Sequence, residues 1–403
     1  MVEELIIHIG THKTGSTSFQ HSLSGYEDEN TAYIEVLPKN VMLDTARLPT
    51  SNHFFYYWLF DEKDSGNINN FSIQNLSLNK DPQNFRNREI ATRLKNTAFY
   101  TQPAYKFKEF IKKHLISQIQ SNKKRLILSS EVLCKCSIEY KENLVNFFKS
   151  YGVKNIKVVC VVRDPVELTR SMFVHKYILG LRHNLKERDW LTHRDKNGNS
   201  ALEYEPTDKS LNQWSDLVGK ENIIVLPYSK DIIKKLYEIC NVNPIYNENF
   251  LKRQVGNTIE TLRIATYVVK NKLIKENKHF VNIFNIFLTH IKPSLEYRHK
   301  SRNFSQIPLN YFIEHADYKQ AEYLKKEYGI NFKSYEDYTK EEKTTEYKDV
   351  YELINDFSKI TEKEISYLIE DHSLWRSPKK LDNVLNRIIV RCKNKKLLKK
   401  NLA

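Results

Sequence analysis

The segment Gly10-Thr11-His12-Lys13-Thr14-Gly15-Ser16-Thr17 concentrates groups able to do chemistry: two glycines bracket a lysine, with hydroxyl side chains on either side. It lies where an apolar run, Leu5 to Ile9, gives way to a helical stretch from about Ser16 to Leu23. At such a junction the unpaired N–H groups of the first helical turn and the positive end of the helix dipole favour a bound anion. The glycines let the loop close tightly around a phosphate, Ser16 and Thr17 add hydroxyl donors, and Lys13 adds a positive charge. A lysine set among hydroxyls serves no packing purpose in an ordinary strand-to-helix turn.

The loop that binds nucleoside triphosphates, GxxxxGK[ST], carries its lysine directly after the second glycine and a hydroxyl that ligates Mg²⁺. Here Ser16 follows Gly15 and the lysine lies inside the loop, at Lys13. A nucleotide phosphate held with no metal expected fits this spacing better than hydrolysis of ATP or GTP. A P-loop kinase or NTPase stays as an alternative, and it would need an acidic Mg²⁺ ligand on a neighbouring strand. A second anion-binding candidate follows the run Ile156 to Val162, where Arg163 leaves a strand end and Asp164-Pro165 opens the next helix. Open α/β sheets bind ligands in the crevice beyond the carboxyl ends of their strands, and a guanidinium can fork onto a phosphate there. Ser171, on the first turns of that helix, is expected to reach the same oxygens. A third candidate, Glu131, follows the run Arg125 to Ser129; a carboxylate in a partly buried cleft can be tuned into a general base.

Taken together these residues resemble a known family. Thr11-His12-Lys13-Thr14-Gly15-Ser16-Thr17-Ser18 is similar to the 5′-phosphosulfate loop of sulfotransferases that use 3′-phosphoadenosine 5′-phosphosulfate (PAPS), commonly HKTGTT or PKSGTT, with Ser16 a mild departure. Val161 to Ser171 is similar to the family's strand–turn–helix that holds the 3′-phosphate, with Arg163 and Ser171 in the binding places. Weaker similarity to the bacterial-type branch continues through Tyr204, Trp214 and Asn222 to Tyr228, then Asn257 to Arg263 and Ala321 to Ile330. The resemblance covers about residues 1–340. It implies a PAPS-dependent sulfotransferase in which Thr11, His12, Lys13, Thr14, Gly15, Ser16, Thr17, Arg163 and Ser171 bind the donor. It also implies Lys13 as the cation beside the leaving oxygen and Glu131 as general base, with His12 as the competitor for that role.

The elements expected to position these residues alternate strand and helix over the first ~240 residues, as in a P-loop-like three-layer α/β fold with a central, mostly parallel sheet. Strands are expected over Leu5–Ile9, Arg125–Ser129, Ile156–Val162 and Ile223–Leu226, each a short run rich in branched aliphatic residues. Asp61–Asn87 and Lys186–Asp208 read as long polar loops. Cys134 and Cys136 read as alternating residues of one strand; without a partner at ligand spacing they form no metal site. The second half reads as mostly helical, with Leu309 to Tyr328 as one helix closing at Gly329. A boundary near 340 separates residues 1–340, the catalytic domain, from a basic helical C-terminal extension, 341–403.

Composition limits the remaining classes. With 40% hydrophobic and 28% charged residues among 403, the chain can bury a sizeable core, and no run reaches the ~20 apolar residues of a membrane span. The formal charge of +15 is unevenly placed, since ten Lys/Arg and one acid fall between Arg376 and Ala403. A mildly basic body with a basic tail does not read as a nucleic-acid protein. The tail reads as an amphipathic helix along Leu381, Val384, Leu385, Ile388, Ile389 and Cys392; a membrane-surface protein acting through it is the other alternative. Five cysteines in no paired pattern, and no secretion signal, point to a cytoplasmic setting. The expected acceptor is a glycan, a glycolipid or a small molecule, with peripheral membrane contact through the tail.

Overall fold

A computed structural model of the chain describes residues 2–11, 13–35, 59–60, 72–78, 94, 97–182, 207–243, 259–270, 310–340, 350–357 and 359. The chain divides by compactness into two units that interleave along the sequence: Met1–Arg163 with Glu205–Phe250 and Gln320–Asn331, and Asp164–Tyr204 with Leu251–Lys319 and Phe332–Ala403.

In the first unit the elements follow in the order β1 (Glu4–His8), α1 (Ser16–Leu23), β2 (Thr31–Tyr33), α2 (Ile73–Leu78), α3 (Ala104–Ile119), β3 (Arg125–Ser129) and α4 (Ile138–Ser150). β4 (Asn155–Val162) comes next; α5 (Pro165–Arg182) belongs to the second unit, and α6 (Thr207–Val218), β5 (Ile223–Pro227) and α7 (Ile232–Cys240) return to the first. The five strands form one sheet in the order β2-β3-β1-β4-β5, every pair parallel. This is the expected α/β, P-loop-like arrangement, with β1 central and the loop of interest at its carboxyl end.

Parallel strands need both faces covered, and these strands read accordingly: Leu5 to His8 and Val158 to Val162 are buried without alternation. Side chains still alternate between faces. His8 packs edge-on against Phe19 of α1 at 5.0 Å, and Phe19 lies against Tyr237 of α7 at 6.1 Å, which defines one helical layer. In register, His8 pairs with Val159, so Cys160 faces the opposite layer, formed by α4 and α6. That layer holds a buried cation. Lys141 Nζ donates to Ser210 Oγ at 3.0 Å and Gln213 Oε1 at 2.7 Å, and burial lowers it to about 8. Both acceptors lie on α6, so Lys141 ties α4 to α6 behind the sheet. At the amino end, Glu4 pairs with Arg125 and, at 2.8 Å, with Lys157, joining the starts of β1, β3 and β4.

In the second unit, α5 begins where expected. Asp164 Oδ1 accepts the N–H groups of Val166 and Glu167 at 3.0 and 3.2 Å, an N-cap followed by Pro165 at the first helical position. α5 packs through Phe173 and Tyr177. Phe173 meets Phe312 of α9 (Asn310–Glu314), and Tyr177 Oη bonds Thr266 Oγ1 of α8 (Ile259–Lys270) at 2.7 Å. α11 (Tyr335–Lys340) and α12 (Val350–Phe357) complete this unit, and α12 packs on α8; α10 (Tyr318–Tyr328) belongs to the first unit from Gln320 on. A described, packed helix therefore lies beyond residue 340.

Three expectations are corrected. The stretch Asp61–Asn87 contains a helix, α2, whose first residue Ile73 is fully buried; six residues are too few to show a helical period. Cys134 closes a 3₁₀ turn, Glu131–Cys134, so neither it nor Cys136 lies on a strand. The helix expected from Leu309 to Tyr328 is two, broken over 315–317, although Gly329 does close the second at φ 67°. The polar stretch 186–206 and the tail helix over 381–392 lie outside the described residues.

Candidate anion-binding site

The loop after β1 is fastened on both sides before any ligand is considered. Toward β4, Ile9 N–H donates to Val159 O at 2.9 Å, and both the amide and the hydroxyl of Thr11 donate to Val161 O at 3.1 Å. The Thr14 hydroxyl donates to Thr11 O. Toward β3, Ser130 N–H donates to His8 O at 2.9 Å, and Gln20 of α1 donates to Ser129 O at 3.3 Å. The hydroxyls of Thr11 and Thr14 are thus committed to holding the loop. What remains for an anion is the first-turn N–H groups of α1, Ser16 and Thr17.

Two glycines are needed here for different reasons. Gly15, at the N-cap of α1, has φ 86°, a left-handed conformation that strains side-chain-bearing residues. Gly10 is needed for space: a Cβ there would lie 2.7 Å from Ser16 Oγ, 2.9 Å from His8 Nε2 and 3.0 Å from Thr14 Oγ1. Lys13 is left-handed as well, with φ 64°, and its carbonyl accepts from Arg163 Nη1 at 3.0 Å. The arginine guanidinium lies 4.8 Å over the ring of Tyr228, whose N–H reaches Val162 O at 2.7 Å. Arg163 therefore clasps the strained residue of the loop from the end of β4, and Tyr228 of β5's exit fixes the guanidinium plane.

Three hydroxyl or imidazole atoms around the loop are buried and have no hydrogen-bond partner among the described residues: Ser16 Oγ, His8 Nε2 and Ser130 Oγ. Leaving such atoms unpaired in a dry site costs about 1–3 kcal/mol each. Burial pushes His8 down from its ordinary 6.5 to about 4, against the opposing charge of Glu131. Between those values the unfolded chain takes up a proton that the folded chain does not. The neutral ring's contribution is present above pH 6.5 and is lost, to the extent of about 3 kcal/mol, as the pH falls toward 4. Urea unfolding at pH 7 and pH 4.5 should show His8→Gln losing much less stability on acidification than the wild type; equal losses would contradict a neutral buried ring.

Of the residues singled out from the sequence, Lys13, Thr11, Thr14, Gly15, Ser16, Thr17, Arg163 and Glu131 gather at the carboxyl ends of β1, β3 and β4. Glu131 is half-buried at the start of the 3₁₀ turn after β3. Ser171 is half-buried on α5, in the second unit. His12 lies outside the described residues. Sequence reasoning missed His8, Ser129, Ser130 and Tyr228. The signal available for His8 was a polar residue inside an otherwise apolar strand.

The fold defines an α/β protein with a tight glycine-bracketed loop between its central strand and first helix. No family model and no curated protein matches the chain. Among solved structures, the chain is similar to a sulfotransferase from Alicyclobacillus acidocaldarius, at 10% identity over 68% of this chain and 94% of that one, with a TM-score of 0.35. It is also similar to the sulfotransferase domain from the curacin biosynthetic pathway, at 14% identity over 64% and 79%, with a TM-score of 0.30. Neither superposition assigns a role to a residue of this chain.

Proposed function

We propose that the protein is a PAPS-dependent sulfotransferase that modifies a hydroxyl or amine of a glycan or glycolipid. The observation that carries this reading is the loop itself: Lys13 is held in a strained conformation by Arg163, beside a helix N-terminus whose Ser16 hydroxyl is buried and unpartnered. Those groups fit the sulfated 5′ end of the donor: N–H groups and a hydroxyl to grip oxygens, and a fixed cation to balance charge. PAPS supplies the sulfuryl group and departs as adenosine 3′,5′-bisphosphate. Lys13 balances the charge that grows on the leaving phosphate, and Glu131 removes the acceptor's proton. Arg163 and Ser171 hold the 3′-phosphate in this reading, which rests on the resemblance of Val161 to Ser171 to the family's strand–turn–helix. A basic tail suits acidic acceptors and the surface of an anionic membrane, in a cytoplasmic setting that keeps the cysteines reduced.

The test is transfer of label from ³⁵S-PAPS to a panel of glycans, glycolipids and small molecules, paired with thermal-shift titrations. Adenosine 3′,5′-bisphosphate should raise the melting temperature and ATP with Mg²⁺ should not. The reverse pattern would identify a nucleoside-triphosphate enzyme instead.

A further inference from the structure

α11 is six residues long, and Tyr338 is its one buried side chain. A local device starts this helix: the Asp337 carboxylate accepts from the N–H and the hydroxyl of Ser334 at 3.0 Å each, and the Asp337 N–H donates to Ser334 Oγ at 3.1 Å. What so short a helix turns inward is a phenol. Tyr338 Oη donates to Asp164 Oδ1 at 2.7 Å, across 174 positions of chain. The same oxygen accepts the first-turn amides of Val166 and Glu167, so one carboxylate oxygen holds both the start of α5 and a segment from far along the sequence. Burial raises the Asp164 carboxyl above its ordinary 3.8, and the Tyr338 bond is the largest influence opposing that rise, followed by the Val166 amide and the charges of Arg170 and Lys333. A carboxylate deprived of that bond is drawn toward water or toward a proton, and either change loosens its hold on the α5 amides. Asp164 directly follows Arg163 in the sequence, and the helix it caps bears Ser171.

We infer that Tyr338 is a positioning residue for the donor's 3′-phosphate: its hydroxyl holds the Asp164 cap, and the cap holds the turn after Arg163 and the helix that carries Ser171. This rests on the donor reading proposed above, in which Arg163 and Ser171 grip that phosphate. It draws residues 334–340 into donor binding through Asp164 rather than by contact with the donor.

Tyr338→Phe keeps the ring, with Lys333 Nζ 5.4 Å over it, and removes only the hydroxyl. Calorimetric titration should show adenosine 3′,5′-bisphosphate weakened about fivefold to tenfold, the low end for coupled sites, while adenosine 5′-monophosphate, which lacks only the 3′-phosphate, stays within about twofold. In an Asp164→Ala background the same substitution should add no further loss, because the residue through which Tyr338 acts is gone. Circular dichroism at pH 7.5 establishes that each variant is folded. Coupling is reciprocal, so a ligand held better when the phenol bond is made also strengthens that bond. In the wild-type protein the bisphosphate should therefore slow amide hydrogen exchange over 334–340 and the monophosphate should not; this measurement decides alone if Tyr338→Phe does not fold. Equal losses for both nucleotides, an unchanged bisphosphate affinity, an undiminished effect without Asp164, or exchange over 334–340 indifferent to the bisphosphate would each overturn the inference and leave the sulfotransferase reading standing. Should wild-type protein not bind the bisphosphate at all, that reading falls and the role of Tyr338 falls with it.

Discussion

Lys13→Met should lower the turnover of sulfuryl transfer by ~10²–10³-fold while changing the affinity for adenosine 3′,5′-bisphosphate much less. The asymmetry follows from when the charge appears. In the ground state the donor's bridging oxygen carries little of the negative charge; as the bond to sulfur breaks, that charge moves onto the departing phosphate. A cation that is more useful in the transition state than before it raises the rate without tightening binding to the same degree. The backbone makes Lys13 an unusual place for such a cation. Its φ of 64° is one that side-chain-bearing residues adopt at a cost of about 1 kcal/mol or more, and the Arg163 bond to its carbonyl holds it there. Lys13→Gly relieves that conformation and also removes the amine. If the amine is what matters, Lys13→Gly and Lys13→Met share the loss of turnover while only Lys13→Gly changes loop stability. Steady-state kinetics with saturating acceptor separates the two, and a Lys13→Met enzyme with wild-type turnover would remove the lysine from the mechanism.

How far the sequence leads depends on the kind of interaction involved. The runs at β1, β3, β4 and β5 were legible because strands buried on both faces must be apolar throughout, and the Asp164-Pro165 start of α5 because an N-cap is a local device. The edge strand β2, three residues long, left no such run. The loop's place between β1 and α1 was legible, but not the division of labour inside it. That Thr11 and Thr14 hold the loop while Ser16 stays unpartnered depends on where Val161 O lies, a contact across 150 positions of chain. Arg163 was read as a phosphate ligand; its bond to Lys13 O adds a task that no motif records. His8 looked like one more residue of a core strand until its ring was placed between Ser129 and Gly10.

Glu131→Gln should cost ~10²–10⁴ in turnover and should also remove the acidic limb of the pH–rate profile. A general base works only when deprotonated, so the wild-type rate should climb with pH as the carboxyl loses its proton and then level off. Glutamine cannot take part in that titration. The position supports the role: Glu131 begins the 3₁₀ turn directly beyond β3, whose last residue pairs with His8 of β1. It thereby stands at the same sheet end as the loop, the end at which open α/β sheets bind ligands. Its charge is also felt by His8, opposing the burial that keeps the imidazole neutral. That coupling yields a second readout. With Glu131 replaced by Gln, the opposing charge is gone, so His8 should titrate lower still, observable in its imidazole ¹⁵N shifts. His12 is the rival base, and His12→Asn separates the two. If Glu131 takes the proton, the asparagine variant keeps the acidic limb where it was; if the limb disappears in His12→Asn and persists in Glu131→Gln, the proton goes to the histidine and Glu131 serves only to set the local field.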